Sequence, residues 1–167
     1  MHSSVIHPIF SKLTGNGRVW IFTANRKLNP EEQLYVRAKF DVFCRDWSAH
    51  GSMLKAQFEI LFDQLLVLGA DEDVEPASGC AIDRSTAIFQ AIEQELHLDL
   101  FNRLNLFFKN GEEWIMIPMH QLMDAYQKKL ISDSTIFFDN SINSLHDFRT
   151  RWEVPLCESW LATKIKS

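Results

Sequence analysis

A cysteine in this chain occupies a position that favours a nucleophile. Cys80 follows Ser78 and Gly79, immediately before an apolar pattern that predicts a helix. Backbone N–H groups and the helix dipole at a helix N-terminus favour the thiolate, which is the nucleophilic form of cysteine. His50 could act as its base, and Ser78 or the N–H groups around Gly79 could donate to an oxyanion. Cys80 and His50 therefore form a hypothetical catalytic pair for a small acyl or anionic substrate.

The same residues have a purely structural interpretation, which the sequence favours. Gly79 could supply a positive φ, Asp83 could cap the helix, and Cys80 could be a small residue packed beneath the loop. His50 could be a loop histidine after a helix C-terminus, followed by the turn-forming Gly51. No third group that would orient His50 can be named from the sequence.

The elements that position these residues begin with a strand and a helix. Residues 18–23 (RVWIFT) are β-branched and aromatic, which is typical of a buried strand. Asn29, Pro30 and Glu32 then form the start signal of a helix, with a capping box of the type Asn-x-x-Glu. Apolar residues follow at three- and four-residue steps and place Cys44 on the core face of that helix.

Two strands and a second helix are predicted next. Residues 56–63 (AQFEILFD) alternate between apolar and polar, as in a strand with one wet face. The run 65–68 (LLVL) is apolar without alternation and fits a central strand paired back through a tight turn. An acidic loop over 71–79 leads to a helix with an apolar stripe at Ile88, Ala91, Ile92 and Leu96.

The C-terminal half predicts a hairpin and further elements. Apolar runs at 104–108 and 113–117 flank Asn110-Gly111, a strong hairpin signal. A helix is expected near 119–130, a short strand at 135–138 and a last helix at 144–152.

The first six elements read β-α-β-β-α-β, the order of a ferredoxin-like split βαβ sandwich. We expect an α+β fold in which residues 1–167 form a single domain. Its ferredoxin-like core would span about 18–117, and strand and helix additions would span about 118–167.

This topology gathers distant residues at one end of the sheet. The loop over 46–55, the loop that carries Ser78 and Gly79, and the Asn110-Gly111 turn should all lie there. We therefore expect one neighbourhood, with a binding site that includes Ser78 and Gly79, formed by the following residues: Trp47, His50, Cys80, Asp83 and Lys109.

Composition excludes several functional classes. The chain has 167 residues, a formal charge of -5 and 17 scattered Lys and Arg residues, so it offers no basic stripe for nucleic acid. No apolar run approaches the length that spans a bilayer, and we expect no membrane insertion. Three widely spaced cysteines, Cys44, Cys80 and Cys157, suit reduced thiols. We expect a cytoplasmic protein.

No metal or cofactor site is predicted. Asp71, Glu72, Asp73 and Glu75 form an acidic cluster that lacks the full spacing of a calcium-binding loop. The histidines show no metal-ligand spacing, and no cofactor motif is present. We expect neither a metal nor a cofactor.

Four segments carry a resemblance to known proteins: 19–28 (VWIFTANRKL), 47–51 (WSAHG), 78–83 (SGCAID) and 152–160 (WEVPLCESW). They resemble a family of small bacterial proteins of unknown function, some of which are labelled "ABC transporter ATPase". The resemblance implies no known activity. A P-loop requires Gly-x-x-x-x-Gly-Lys-Ser/Thr to wrap phosphates in backbone N–H groups, and the chain contains no such segment. We therefore do not expect a P-loop ATPase.

A well-marked core without a complete catalytic constellation favours a binding function. Our leading hypothesis is a module that binds a small ligand or another protein. The alternative is a cysteine-dependent enzyme that uses Cys80 and His50. An exposed strand edge at 56–63 or at the second hairpin could also support a homodimer.

Overall fold

The computed structural model describes residues 9–13, 16–49, 52–71 and 79–166. Strands and helices alternate irregularly along the described chain, with short 3₁₀ turns at Met119–Gln121 and Leu156–Glu158. The strands are β1 (Gly17–Thr23), β2 (Ser48–Ala49), β3 (Ser52–Met53), β4 (Lys55–Leu61), β5 (Leu65–Asp71), β6 (Asn105–Asn110), β7 (Glu113–Pro118), β8 (Ile136–Phe138) and β9 (Glu153–Pro155). The helices are α1 (Pro30–Asp46), α2 (Gly79–Leu96), α3 (Leu122–Gln127), α4 (Leu145–Arg151) and α5 (Ala162–Ile165).

Helix α1 begins with the predicted capping box. The Glu32 backbone N–H donates to the Asn29 side-chain oxygen at 2.8 Å, and the Asn29 backbone N–H donates to the Glu32 carboxylate at 3.0 Å. Pro30 occupies the first turn, where its missing N–H removes no helical hydrogen bond. The local sequence alone therefore fixes where this helix begins.

The first sheet has the antiparallel order β1-β5-β4. Its central strand β5 contains the run 65–68, in which every residue is buried. Leu66 and Leu68 face one apolar cluster, whereas Leu65 and Val67 face another. The run lacks alternation because both faces of the central strand are covered.

The second sheet has the antiparallel order β7-β6-β8-β9. Its hairpin β6–β7 turns at Asn110-Gly111, and Gly111 adopts a φ of +64° that suits glycine. This confirms the predicted hairpin.

The two sheets and the helices form four layers. One apolar cluster joins α1 and α2 to a face of the first sheet through residues such as Phe40, Phe89 and Leu68. A second cluster lies between the sheets and includes Ile21 and Phe107. A third joins the outer face of the second sheet to α3 and to the residues before α5. The order of layers is α1 with α2, first sheet, second sheet and α3, while α4 contributes Leu145 and Phe148 to the cluster between the sheets.

The α+β class is confirmed, but the ferredoxin-like sandwich is not. The first three predicted strands do share a sheet, in which the third lies between the first and the second. The fourth, now β6, instead joins the second sheet. It pairs there with β7 through the local Asn-Gly turn, and Phe107 packs against the first sheet from a separate layer.

The C-terminal elements contribute strands to the second sheet. Strands β8 and β9 extend the second sheet, and Ser144 caps α4 by accepting from the Asp147 N–H. The helix expected at 119–130 is a 3₁₀ turn followed by the shorter α3. None of the helices in the described ranges is long and apolar enough to cross a membrane.

Candidate functional site

Cys80 lies in the first turn of α2 and is exposed. Gly79 begins the helix without a positive φ, so its predicted conformational role is not observed. His50 and Ser78 lie outside the described residues. The hypothetical Cys80–His50 pair and the oxyanion donors around Ser78 therefore stay predictions.

Trp47 connects the end of α1 to the start of α2. Its side chain is fully buried, and its indole Nε1–H donates to the Ala81 carbonyl at 2.9 Å. Trp20 and Phe43 pack against the ring, with centroids 5.4 and 5.0 Å away. This hydrogen bond joins the residue after α1 to the first turn of α2, and the role of Trp47 in ligand binding stays a prediction.

Asp83 and Lys109 lie on different elements. Asp83 is exposed and lies past the first residues of α2, so it is not the helix cap. Lys109 belongs to the second sheet, where its ammonium lies 5.4 Å from the centroid of the Trp114 ring. Their membership of one binding neighbourhood with Cys80 stays a prediction.

The other two cysteines differ from each other in environment. Cys44 is partly buried on α1, and burial together with the nearby Asp41 carboxylate raises the pKa of its thiol to about 12. Cys157 lies in the 3₁₀ turn before α5 and is exposed. Cys80 and Cys157 are thus the accessible thiols.

Sequence reasoning missed a cavity of about 800 Å³ beside the outer edge of β1. We call it the β1-edge cleft. It combines strand backbone, two arginines, small polar side chains and apolar surface, contributed by Gly17, Arg18, Val19, Trp20, Ile21, Arg103, Leu104, Asn140, Ser141, Ile142, Asn143, Ser144 and Trp160.

The backbone of β1 presents hydrogen-bonding groups to this cleft. The Val19 N–H donates outward to the Asn143 carbonyl at 3.1 Å, whereas the Ala24 N–H donates to Gln64 on the side of β5. Outward and inward groups alternate along a strand, so Val19 and Ile21 both direct their backbone groups away from β5. Among the described residues, the Val19 carbonyl and the Ile21 N–H have no hydrogen-bond partner.

Arg103 closes one end of this exposed edge. Its guanidinium donates to the Ile21 carbonyl at 2.8 Å and lies 5.0 Å from the centroid of the Phe22 ring. Burial lowers the pKa of the guanidinium, and no carboxylate of the described residues pairs with it. Arg103 therefore brings to the cleft a positive charge and N–H donors that have no partner among the described residues.

The segment after β8 forms the opposite wall. Asn140 donates from its side-chain amide to the Arg103 carbonyl at 2.9 Å, which fixes this wall against Arg103. Ser144 makes an isolated antiparallel bridge with Arg18 and closes the other end of the edge. Trp160 contributes a ring that is 37% exposed.

The described part of the cleft lining contains no cysteine, histidine, aspartate or glutamate. Its serines are engaged in the local structure, since Ser141 donates to Asp139 and Ser144 caps α4. The described residues also contain no cluster of three or more metal-ligating side chains. The described lining offers two arginines, amide groups and an open strand edge.

The comparisons do not assign the chain to a family. No family model, no curated protein and no solved structure matches it. The family resemblance of the four segments therefore stays a prediction, and the site rests on the chain's own geometry.

Proposed function

We propose that this protein is a binding module whose ligand occupies the β1-edge cleft. The observation that carries the proposal is the cleft lining, which offers unpaired strand backbone and the Arg103 cation but, among the described residues, no cysteine, histidine or carboxylate. Ligand sites typically combine apolar walls with a few polar groups that fix orientation, and Leu104, Ile142 and Trp160 supply such walls.

The positive charge of Arg103 favours a ligand that is anionic or that accepts hydrogen bonds strongly. A guanidinium that is removed from water gains from an anion more than an exposed one does, because solvent screens the attraction less. Asn140 and Asn143 line the same cleft and add amide groups beside Arg103.

A two-dimensional NMR screen of the ¹⁵N-labelled chain tests this function. The probes are a set of small carboxylates, primary amides and short peptides. Bound probes are expected to shift the amide resonances of 19–21 and 140–144 and to leave those in the middle of α1 unchanged. The proposal fails if probes bind only elsewhere, for example at the β4 edge, or if none binds at millimolar concentration.

A cysteine-dependent enzyme is the second candidate, and one observation favours it. Cys80 is exposed in the first turn of an 18-residue helix, so its thiol is accessible to a substrate. His50 would be its base in this proposal. Replacing His50 with Ala should slow iodoacetamide labelling of Cys80 near neutral pH, and an unchanged rate would remove the proposed base.

We also propose that the protein is cytoplasmic and that it forms a homodimer. All three cysteines are free, which is the state that a reducing cytoplasm maintains. A homodimer through the outer edge of β4 would pair one of the open strands of the first sheet. Light scattering of the purified chain distinguishes this dimer from a monomer.

A further inference from the structure

We propose that the β1-edge cleft binds the C-terminus of an extended peptide, whose terminal carboxylate pairs with Arg103. This inference rests on the proposed binding function and names its ligand. The peptide would run parallel to β1, with its backbone on the open edge.

The free backbone groups have the spacing of a parallel ladder. A residue opposite Trp20 on a parallel strand donates its N–H to the Val19 carbonyl and accepts from the Ile21 N–H through its own carbonyl. These are the two outward groups of this edge that lack a partner among the described residues. One extended residue would satisfy both.

The open edge is too short for a continuous strand. The Val19 N–H is already bonded to Asn143 at one end, and the Ile21 carbonyl is bonded to Arg103 at the other. A chain running along β1 would meet one of these contacts within about two residues on either side. A chain terminus can enter such a window, whereas an internal segment would have to leave it sharply at both ends.

The position of Arg103 selects the C-terminus. In the parallel orientation the peptide runs toward the Ile21 end, where the guanidinium lies. The residue after the paired one then places its carboxylate beside a cation without an acidic partner among the described residues. Leu104, which is 57% exposed and lines the cleft, offers apolar surface to the last side chain.

Calorimetry with three short peptides tests the inference on the wild-type chain. The first probe is acetyl-Ala-Ala-Val with a free carboxylate, and the second is the same peptide as its carboxamide. The third is acetyl-Ala-Ala-Glu carboxamide, which carries its charge on a side chain. We expect the free carboxylate to bind at least about tenfold more tightly than either carboxamide, since charge-assisted hydrogen bonds are the stronger kind.

Substitutions of Arg103 test whether its guanidinium is the cation that binds the peptide carboxylate. Arg103→Gln should weaken binding of the free carboxylate by about tenfold or more, whereas Arg103→Lys should restore part of it. Arg84→Gln is the matched control, because Arg84 is exposed on α2 and does not line the cleft. The affinity of the Arg84→Gln variant for the free-carboxylate peptide should stay within about twofold of the wild-type value.

Three results would overturn the peptide inference. Equal affinity for the carboxylate and its carboxamide overturns the inference, as does preference for the glutamate side chain. No binding of any peptide also overturns it. In each of these cases the binding function survives if other probes in the NMR screen still map to the cleft, and it fails if none does.

Discussion

The indole of Trp47 donates a hydrogen bond to the Ala81 carbonyl across the junction between α1 and α2. Trp152 is equally buried, but its Nε1–H has no partner among the described residues. The two tryptophans thus differ chiefly in one hydrogen bond.

Trp47→Phe should therefore destabilise the protein more than Trp152→Phe does. Both changes remove the same ring volume from a buried site, but only the first breaks a hydrogen bond, which contributes about 1 kcal/mol. Urea unfolding followed by circular dichroism measures both free energies. Equal losses would mean that the Trp47–Ala81 bond contributes nothing to stability.

Two glycines should respond oppositely to alanine. A Cβ on Gly17 would lie 2.0 Å from the Ala70 carbonyl oxygen and 2.7 Å from Leu145 Cδ1, whereas a Cβ on Gly79 meets nothing within 4 Å. Gly17→Ala should cost about 1–3 kcal/mol through overpacking. Gly79→Ala should stabilise by roughly 0.4–1 kcal/mol, because alanine restricts the unfolded chain. Thermal unfolding of both variants tests this, and similar melting temperatures would contradict it.

Local patterns predict the elements of this fold better than their arrangement. The Asn29–Glu32 capping box and the Asn110-Gly111 turn form within a few residues, so the sequence shows them directly. The partner of β6 could not be predicted in this way. Phe107 is compatible with either a shared sheet or a second layer, and only packing over the whole chain decides between them.

The β1-edge cleft was hidden from the sequence for a similar reason. Its lining comes from four parts of the chain that are distant in sequence, in β1, at Arg103 and Leu104, between β8 and α4, and at Trp160. Arg103 stands in an ordinary polar context, Asn102-Arg103-Leu104. Its role follows from its contact with Ile21, 82 residues away.

The three cysteines should differ in reactivity toward iodoacetamide. Cys80 should label before Cys44, because the Cys44 pKa of about 12 leaves little thiolate near neutral pH and the side chain is partly buried. Cys157 is exposed and is the main competitor. Peptide mapping after partial labelling measures the order. If Cys80 stays unmodified until the protein is denatured, the enzyme proposal should be dropped.

The ionised Glu32 side chain should stabilise the protein at neutral pH but not in strong acid. Hydrogen bonds from Arg26 and from the Asn29 N–H lower the pKa of Glu32 below its usual 4.5 in the folded chain. A carboxyl group with a depressed folded pKa stabilises the fold above its unfolded pKa, and the effect disappears as pH falls through the folded pKa.

Glu32→Gln should thus lower the free energy of unfolding at neutral pH, by up to about 1 kcal/mol because the pair with Arg26 is partly exposed. The difference from the wild type should vanish in strong acid. Glu31→Gln, in the same first turn, is the charge control and should show a smaller effect. A Glu32→Gln deficit that is independent of pH would contradict the assignment.

Substitutions of Leu104 test directly whether a ligand binds at the β1 edge beside Arg103. Leu104→Glu introduces a carboxylate next to Arg103 at an exposed position of the cleft, whereas Leu104→Gln has the same shape without the charge. The Ile21 amide resonance is followed by NMR while acetyl-Ala-Ala-Val is added to each variant. We predict a saturable shift in Leu104→Gln and at least about a tenfold loss of affinity in Leu104→Glu, because the new carboxylate competes for the guanidinium. Identical titrations of the two variants, or an Ile21 resonance that never moves, would contradict a carboxylate site at this edge.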